Sequence, residues 1–126
     1  MLDRSTLQTW HDRHRLWAVL AILAAVVIAV GSLTPGSEMP SNLPWDKFNH
    51  FVGYGGLAGL VALAGIRLPW AFATVVLYGI FIEYLQIPVP GRSGGDWWDI
   101  LANTLGAATA VVLLHGLRRW VLKVLT

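Results

Sequence analysis

Hydrophobic positions run along this chain in long unbroken stretches, separated by short polar segments rich in proline and glycine. The first stretch, Leu16 to about Leu33, carries no charged residue. As a helix it is long enough to cross a hydrocarbon layer of about 30 Å. A cleaved signal peptide would have a shorter apolar core followed by a small-residue site, and no A-x-A sequence follows here, so a retained helix is expected. A second stretch, about Phe48 to Ile66, is uncharged but holds Asn49, His50 and Tyr54 near its start, with Gly53, Gly55, Gly56 and Gly59 among and after them. The third, about Leu68 to Ile87, is interrupted only by Glu83, and the fourth runs from Asp99 or Ile100 to about Leu117. The last three mix small and polar residues into the apolar pattern, which suits helices packed on one another rather than on lipid all round. The pattern predicts an all-α fold: a lead over residues 1–15, then a bundle of four transmembrane helices over 16–126.

The connections are unequal. Little beyond Arg67, Leu68 and Pro69 separates the second and third stretches, which predicts a tight antiparallel pair. The other two connections, Thr34 to Trp45 and Pro88 to Trp98, contain Pro35, Gly36, Pro40 and Pro44, and Pro90, Gly91, Gly94 and Gly95. Such density of proline and glycine marks turns of defined geometry or flexible lids. Gly55 with Gly59, and Gly106 with Ala110, have the small-xxx-small spacing of close helix contacts.

Composition agrees with the membrane reading. Of 126 residues, 56% are hydrophobic and 13% charged, with a mean hydropathy of +0.59, too apolar for an ordinary soluble domain. The formal charge of +2 is of the kind that gathers on the cytoplasmic side of a bilayer, and nucleic-acid binding is not expected. The absence of cysteine excludes disulfides, thiolate zinc sites and cysteine nucleophiles. With a cytoplasmic N-terminus, Arg4, Arg13, Arg15, Arg67, Arg118, Arg119 and Lys123 lie inside and only Lys47 and Arg92 outside. Both termini are therefore expected in the cytoplasm. Trp10, Trp17, Trp70 and Trp120 would anchor the inner interface, and Trp45, Trp97 and Trp98 the outer one.

The remaining polar residues fall at one depth. Asp46, Lys47 and His50 open the second helix, Glu83 and Gln86 close the third, Arg92 and Asp96 lie in the second outer loop, and Asp99 and Asn103 open the fourth. Asp46, His50 and Tyr54 are spaced four apart, so a helix beginning near Pro44 presents them on one face. Asp99, Asn103 and Gly106 form a similar stripe, and Glu83 and Gln86 are three apart. Charges at membrane depth are expensive, so these stripes should point into the bundle or a watered cavity. Each also has a plainer role available. Asp96, Asp99 or Asp46 could cap a helix, Asn103 could bridge helices, and His50 could be a satisfied buried imidazole. Glu83 lies inside an apolar helix where no cap position explains it. It is either a functional carboxylate tuned by burial and by neighbouring cations, or half of a buried ion pair with Arg92.

In order and placement these residues resemble the VanZ-like membrane proteins. The resemblance rests on Ser32 and Pro35 ending the first helix, Asp46-Lys47-x-x-His50-x-x-x-Tyr54, Glu83-x-x-Gln86, Gly91-Arg92, and Asp99-x-x-x-Asn103-x-x-Gly106. It implies a small bundle of four transmembrane helices, with the same polar positions as the characteristic ones. The family takes its name from a member associated with low-level resistance to the glycopeptide teicoplanin.

Two functions compete. In the first, the outer cluster recognises a lipid head group, a lipid-linked cell-wall intermediate or a partner enzyme without chemistry, and Asp46, Lys47, Tyr54, Gln86, Arg92 and Asn103 form the binding surface. In the second, it is a membrane-embedded acid/base or metal-dependent hydrolase or transferase in which His50, Glu83 and Asp99 carry the chemistry. There His50 would be polarised by Asp46, and Arg92 with Lys47 would hold a phosphate or carboxylate. The chain has no H-E-x-x-H and no serine-nucleophile motif, which tilts the reading towards binding. No cofactor is expected, although the carboxylates and His50 could take a divalent cation. Transport is the weakest reading, because four spans are few and their inner halves are apolar apart from His115. The expected location is the bacterial cytoplasmic membrane, as a multi-pass protein.

Overall fold

The computed structural model describes residues 3–40 and 46–123. They form five α-helices and no strand: α1 Arg4–His11, α2 His14–Leu33, α3 Asp46–Leu63, α4 Leu68–Leu85 and α5 Trp97–Gly116. A 3-10 turn, Gly36–Glu38, follows α2, and a π-helical segment, Leu117–Leu122, prolongs α5. The helix boundaries follow local chemistry. Asp3 caps α1 by accepting from the Thr6 amide at 2.8 Å. Gly65, at φ 109°, reverses the chain after α3, and Pro69 stands in the first turn of α4, where its missing N–H costs nothing. The helices reach further into polar sequence than the uncharged stretches do: α2 starts at His14, α3 at Asp46 and α5 at Trp97. The absence of charge marks where a chain can meet hydrocarbon, whereas backbone hydrogen bonding continues to the next cap. The expected start near Pro44, and Trp45, lie outside the described residues.

The four long helices alternate in direction, as the contacts between their ends require. α3 is central and packs most extensively on α5, with α2 and α4 also against it. The short α3–α4 connection is present as expected, yet sequence neighbours are not the closest partners. The cause is small residues. A Cβ on Gly55 would lie 3.0 Å from the Gly106 carbonyl oxygen, and one on Gly106 would run into the backbone of Phe51. Backbone thus meets backbone across α3 and α5. Gly55 and Gly106 act across the helix pair, whereas a Cβ on Gly59, which was expected to share the contact, would meet nothing within 4 Å. Tyr54, Leu57, Ala58, Val75 and Ala107 fill the middle, and Ala62, Ala71 and Leu114 the end near α1.

Large apolar side chains cover the outside, among them Ile22, Val27 and Val30 of α2, Leu77 and Phe81 of α4, and Val112 and Leu113 of α5. Three segments, His14–Leu33, Leu68–Leu85 and Trp97–Leu122, are long and apolar enough to cross a bilayer. With their apolar surfaces turned outward, they mark a membrane protein. α3 has the length, 18 residues, but Asp46, Lys47, Asn49 and His50 lower its apolarity. Trp70, Trp97, Trp98 and Trp120 are all exposed at helix ends, as interface anchors would be.

At the end of the bundle away from His50, α1 folds back onto the chain's last described turn. Arg4 Nη2 donates to the Leu122 carbonyl at 3.0 Å, and Arg118 donates to the Ala62 carbonyl at 3.1 Å and to His11 Nε2 at 3.0 Å. Because a guanidinium only donates, His11 Nε2 must accept, and its Nδ1 hydrogen goes to Asp12 at 2.8 Å. Hydrogen bonds from His11 and Gln8 hold the Asp12 carboxyl below its ordinary value.

Candidate functional site

The opposite end gathers the polar residues. It is built from the C-termini of α2 and α4 and the N-termini of α3 and α5. Lys47, on the first turn of α3, is the hub. Its Nζ donates to Asp99 Oδ1, to Asp96 Oδ2 at 3.2 Å and to Asp46 Oδ2 at 3.4 Å. One turn further, His50 Nδ1 lies 2.8 Å from Asn103 Oδ1. The amide oxygen only accepts, so Nδ1 carries the hydrogen and Nε2 faces the two aspartates, Asp46 Oδ1 at 3.6 Å and Asp99 Oδ2 at 3.5 Å. Tyr54, another turn along, lies with its ring parallel to the imidazole, the two planes 3° apart and the centroids 6.2 Å apart. The i, i+4 stripe of α3 therefore meets the i, i+4 stripe of α5 along the close contact made by Gly55 and Gly106.

Asp96 joins this network to the loop. Its side chain caps α5 by accepting from the Trp98 amide at 2.9 Å, and that bond, reinforced by Lys47, holds its carboxyl below the ordinary range. Its own amide donates to Glu83 Oε1 at 2.9 Å, and the Gly95 amide donates to the Glu83 carbonyl at 3.0 Å. Glu83 is 1% exposed. Its carboxylate is a clamp on the turn before α5, and among the described residues it makes no ion pair with Arg92. Arg92 instead reaches the end of α2, donating from Nη1 to the carbonyls of Gly31 at 2.8 Å and Thr34 at 2.9 Å. Gln86 donates to the Ser32 carbonyl between them at 2.8 Å. These carbonyls lack helical partners at a C-terminus, and the two side chains supply them.

A cavity of 350 Å³ lies between α2 and α3. Val27, Ile28, Gly31 and Ser32 line it from α2, Asp46, Asn49, His50, Gly53 and Tyr54 from α3, and Met39 and Arg92 from the connecting loops. The nine residues expected to form the site thus divide. Asp46, His50, Tyr54 and Arg92 border the cavity. Lys47, Asp99 and Asn103 brace its wall from behind, and Glu83 and Gln86 fix the loop and the end of α2.

Two further features escape the sequence reading. Gly79 on α4 makes room for the site: a Cβ there would lie 2.9 Å from Asn103 Nδ2 and 3.0 Å from Tyr54 Cε1. Its signal was a glycine four residues before Glu83, on the same face of an otherwise apolar helix. Gly36 and Gly91, at φ 72°, cross so closely that a Cβ on Gly36 would collide with the Gly91 backbone, and the Gly36 amide donates to the Pro90 carbonyl at 2.8 Å. The two connecting loops are joined there, above the cavity that both border.

The family model described as VanZ/LLP1 matches residues 4–120, nearly the whole chain, from α1 into the π-helical segment. No curated protein and no solved structure gives a significant match.

Proposed function

We propose that this chain, which belongs to the VanZ/LLP1 family, is a multi-pass protein of the bacterial cytoplasmic membrane that binds, at its outer face, the head group of a lipid or of a lipid-linked cell-wall intermediate. The observation that carries this reading is the two-sided cavity. Val27 and Ile28 offer it an apolar wall, while Arg92, His50 and Asp46 offer charge and hydrogen bonds. An amphiphile fits such a lining, with its chain along the exposed face of α2 and its phosphate or carboxylate at Arg92, whose Nη2 and Nε make none of the helix-capping bonds described. A contribution to teicoplanin resistance belongs to the same reading, through altered access of the drug to its surface target.

The binding test uses the full chain in detergent, with native mass spectrometry of retained phosphatidylglycerol and of a polyprenyl-diphosphate-linked saccharide. Arg92→Gln should reduce retention of whichever is bound by about tenfold or more, the loss of a charge-assisted bond of roughly 1.5–3 kcal/mol. Gln86→Ala, which also loses a bond to the end of α2 but no cavity wall, should leave it nearly unchanged. Equal retention by wild type and Arg92→Gln would sink the head-group reading. The same pair of variants, compared for teicoplanin susceptibility in cells, decides whether resistance travels with binding.

The topology proposed has α3 as a fourth span and both termini inside. It is supported by the distribution of lysine and arginine and by the alternating helix directions. Because the chain has no cysteine, single-cysteine labelling of intact cells is clean. Ser93→Cys should react with a membrane-impermeant maleimide, and Arg67→Cys and Arg119→Cys should react only after lysis. Labelling of Arg67→Cys in intact cells would reverse the orientation.

One observation favours the catalytic reading as the alternative. His50 borders the cavity while two carboxylates face its Nε2, the setting of a general base for hydrolysis or transfer. In that case Asn103, accepting from Nδ1, orients the imidazole, Asp46 and Asp99 stabilise it once Nε2 has taken the proton, and Glu83, held by the Asp96 amide, has a positioning role only.

A further inference from the structure

We propose that Asp46, His50 and Asp99 form a binding site for a single divalent cation of the zinc or manganese kind. The inference goes beyond head-group recognition and does not depend on it, since the ion alone is the ligand. Each of the three offers one donor atom, and the three atoms lie within 4.8 Å of one another. The separations of 3.5 and 3.6 Å from His50 Nε2 to the carboxylate oxygens are close to the roughly 3.4 Å expected between neighbouring ligands of a tetrahedral ion with bonds of about 2.1 Å. Asp46, with a side chain 59% exposed on the first turn of α3, is free to close the remaining gap to Asp99.

What distinguishes the cluster from a chance group of acids is that the far atom of every ligand is already held. Lys47 binds the other oxygen of Asp46 and the other oxygen of Asp99. Asn103 accepts from the Nδ1 of His50, which fixes the tautomer and leaves the Nε2 lone pair towards the two carboxylate oxygens. That is the outer shell a metal-binding imidazole and its carboxylates require. Asn103 is itself 2% exposed, and among the described residues its buried Nδ2 has no hydrogen-bond partner, so the oxygen's bond to His50 is the one described for its side chain. Charge agrees as well. Three carboxylates, Asp46, Asp96 and Asp99, surround the single ammonium of Lys47, leaving two negative charges, which one divalent ion balances. An imidazole with two carboxylates suits zinc or manganese, whereas calcium and magnesium prefer an all-oxygen shell. Two of the three ligands, Asp46 and His50, also line the cavity that Arg92 borders.

The test is isothermal titration of Zn²⁺ and Mn²⁺ into the full chain, purified in detergent without a histidine tag, with Ca²⁺ and Mg²⁺ for comparison. One site per chain is expected, with Zn²⁺ or Mn²⁺ bound at least tenfold more tightly than Ca²⁺. Asp46→Asn and His50→Gln should each weaken it by about tenfold or more. Asp46 is exposed, so Asp46→Asn should keep the melting temperature of the metal-free protein and decides the matter if His50→Gln fails to fold. The double variant His11→Gln/His14→Gln removes the imidazole pair at the opposite end, whose rings lie 6.5 Å apart, and should leave the site intact. No saturable binding by the wild type, undiminished affinity in Asp46→Asn, or binding that disappears with His11 and His14 would each overturn the assignment.

Discussion

Gly106→Ala should lower the stability of the bundle by about 3 kcal/mol, the upper end of the range for overpacking, and Gly106→Val should leave little folded protein. The added Cβ would strike the carbonyl group of Phe51, which is backbone and cannot rotate away as a side chain would. Relief requires α3 and α5 to separate, and that separation also pulls His50 from Asn103 and Lys47 from Asp99. Gly56→Ala is the control, because a Cβ there meets nothing within 4 Å. Thermal unfolding in detergent, followed by size-exclusion recovery, reads both. An unchanged midpoint for Gly106→Ala would mean that the two backbones are not in contact.

Asp99→Ala should be at least as damaging as Gly106→Ala, at roughly 3–5 kcal/mol, the range for removing one partner of a buried ion pair. Its side chain is 3% exposed and faces both Lys47 and His50. Without it, Lys47 keeps, among the described residues, Asp96 and the exposed Asp46, and the lysine, 27% exposed, is too enclosed to be fully hydrated instead. Asp46→Ala removes a formally similar partner of the same lysine, yet should cost no more than about 1 kcal/mol, since that pair is largely in solvent. Chemical denaturation of both variants measures the difference. Similar losses would show that burial does not rank these carboxylates.

How far the sequence could be read depended on whether a contact has a periodic signature. The meeting of Asp46, His50 and Tyr54 with Asp99 and Asn103 was legible because both sets repeat at helical spacing, and a charge in an apolar helix has few places to go. Asp96 as a cap was legible for the same local reason. Glu83 and Arg92 show where this ends. Both were expected at one level, and both are there, but the ion pair between them is replaced by a backbone amide for one and the carbonyls of α2 for the other. Those partners belong to the backbone, which every residue possesses, so no residue type announces them. The pairing of α3 with α5 over its sequence neighbour α4 was hidden similarly, since Gly55 and Gly59 look alike until a second helix chooses one of them. Gly79, the site's third small residue, stands four residues before Glu83 on the same helix face, but the tyrosine and asparagine that give that spacing its meaning fold to it from elsewhere.

α2 is joined to the bundle in a way that separates its shape from its spelling. Ala21 is its one buried residue, and the bonds to it end on the carbonyls of Ala25, Gly31, Ser32 and Thr34, from Tyr78, Gln86 and Arg92. In a bilayer its outward side chains gain nothing by packing that lipid does not already give. Its partners therefore read main chain, and most of its letters are under no obligation beyond being oily. Across related proteins α2 should drift almost freely in identity while the three residues that hold it stay fixed, so that the most variable helix is fastened by some of the least variable side chains.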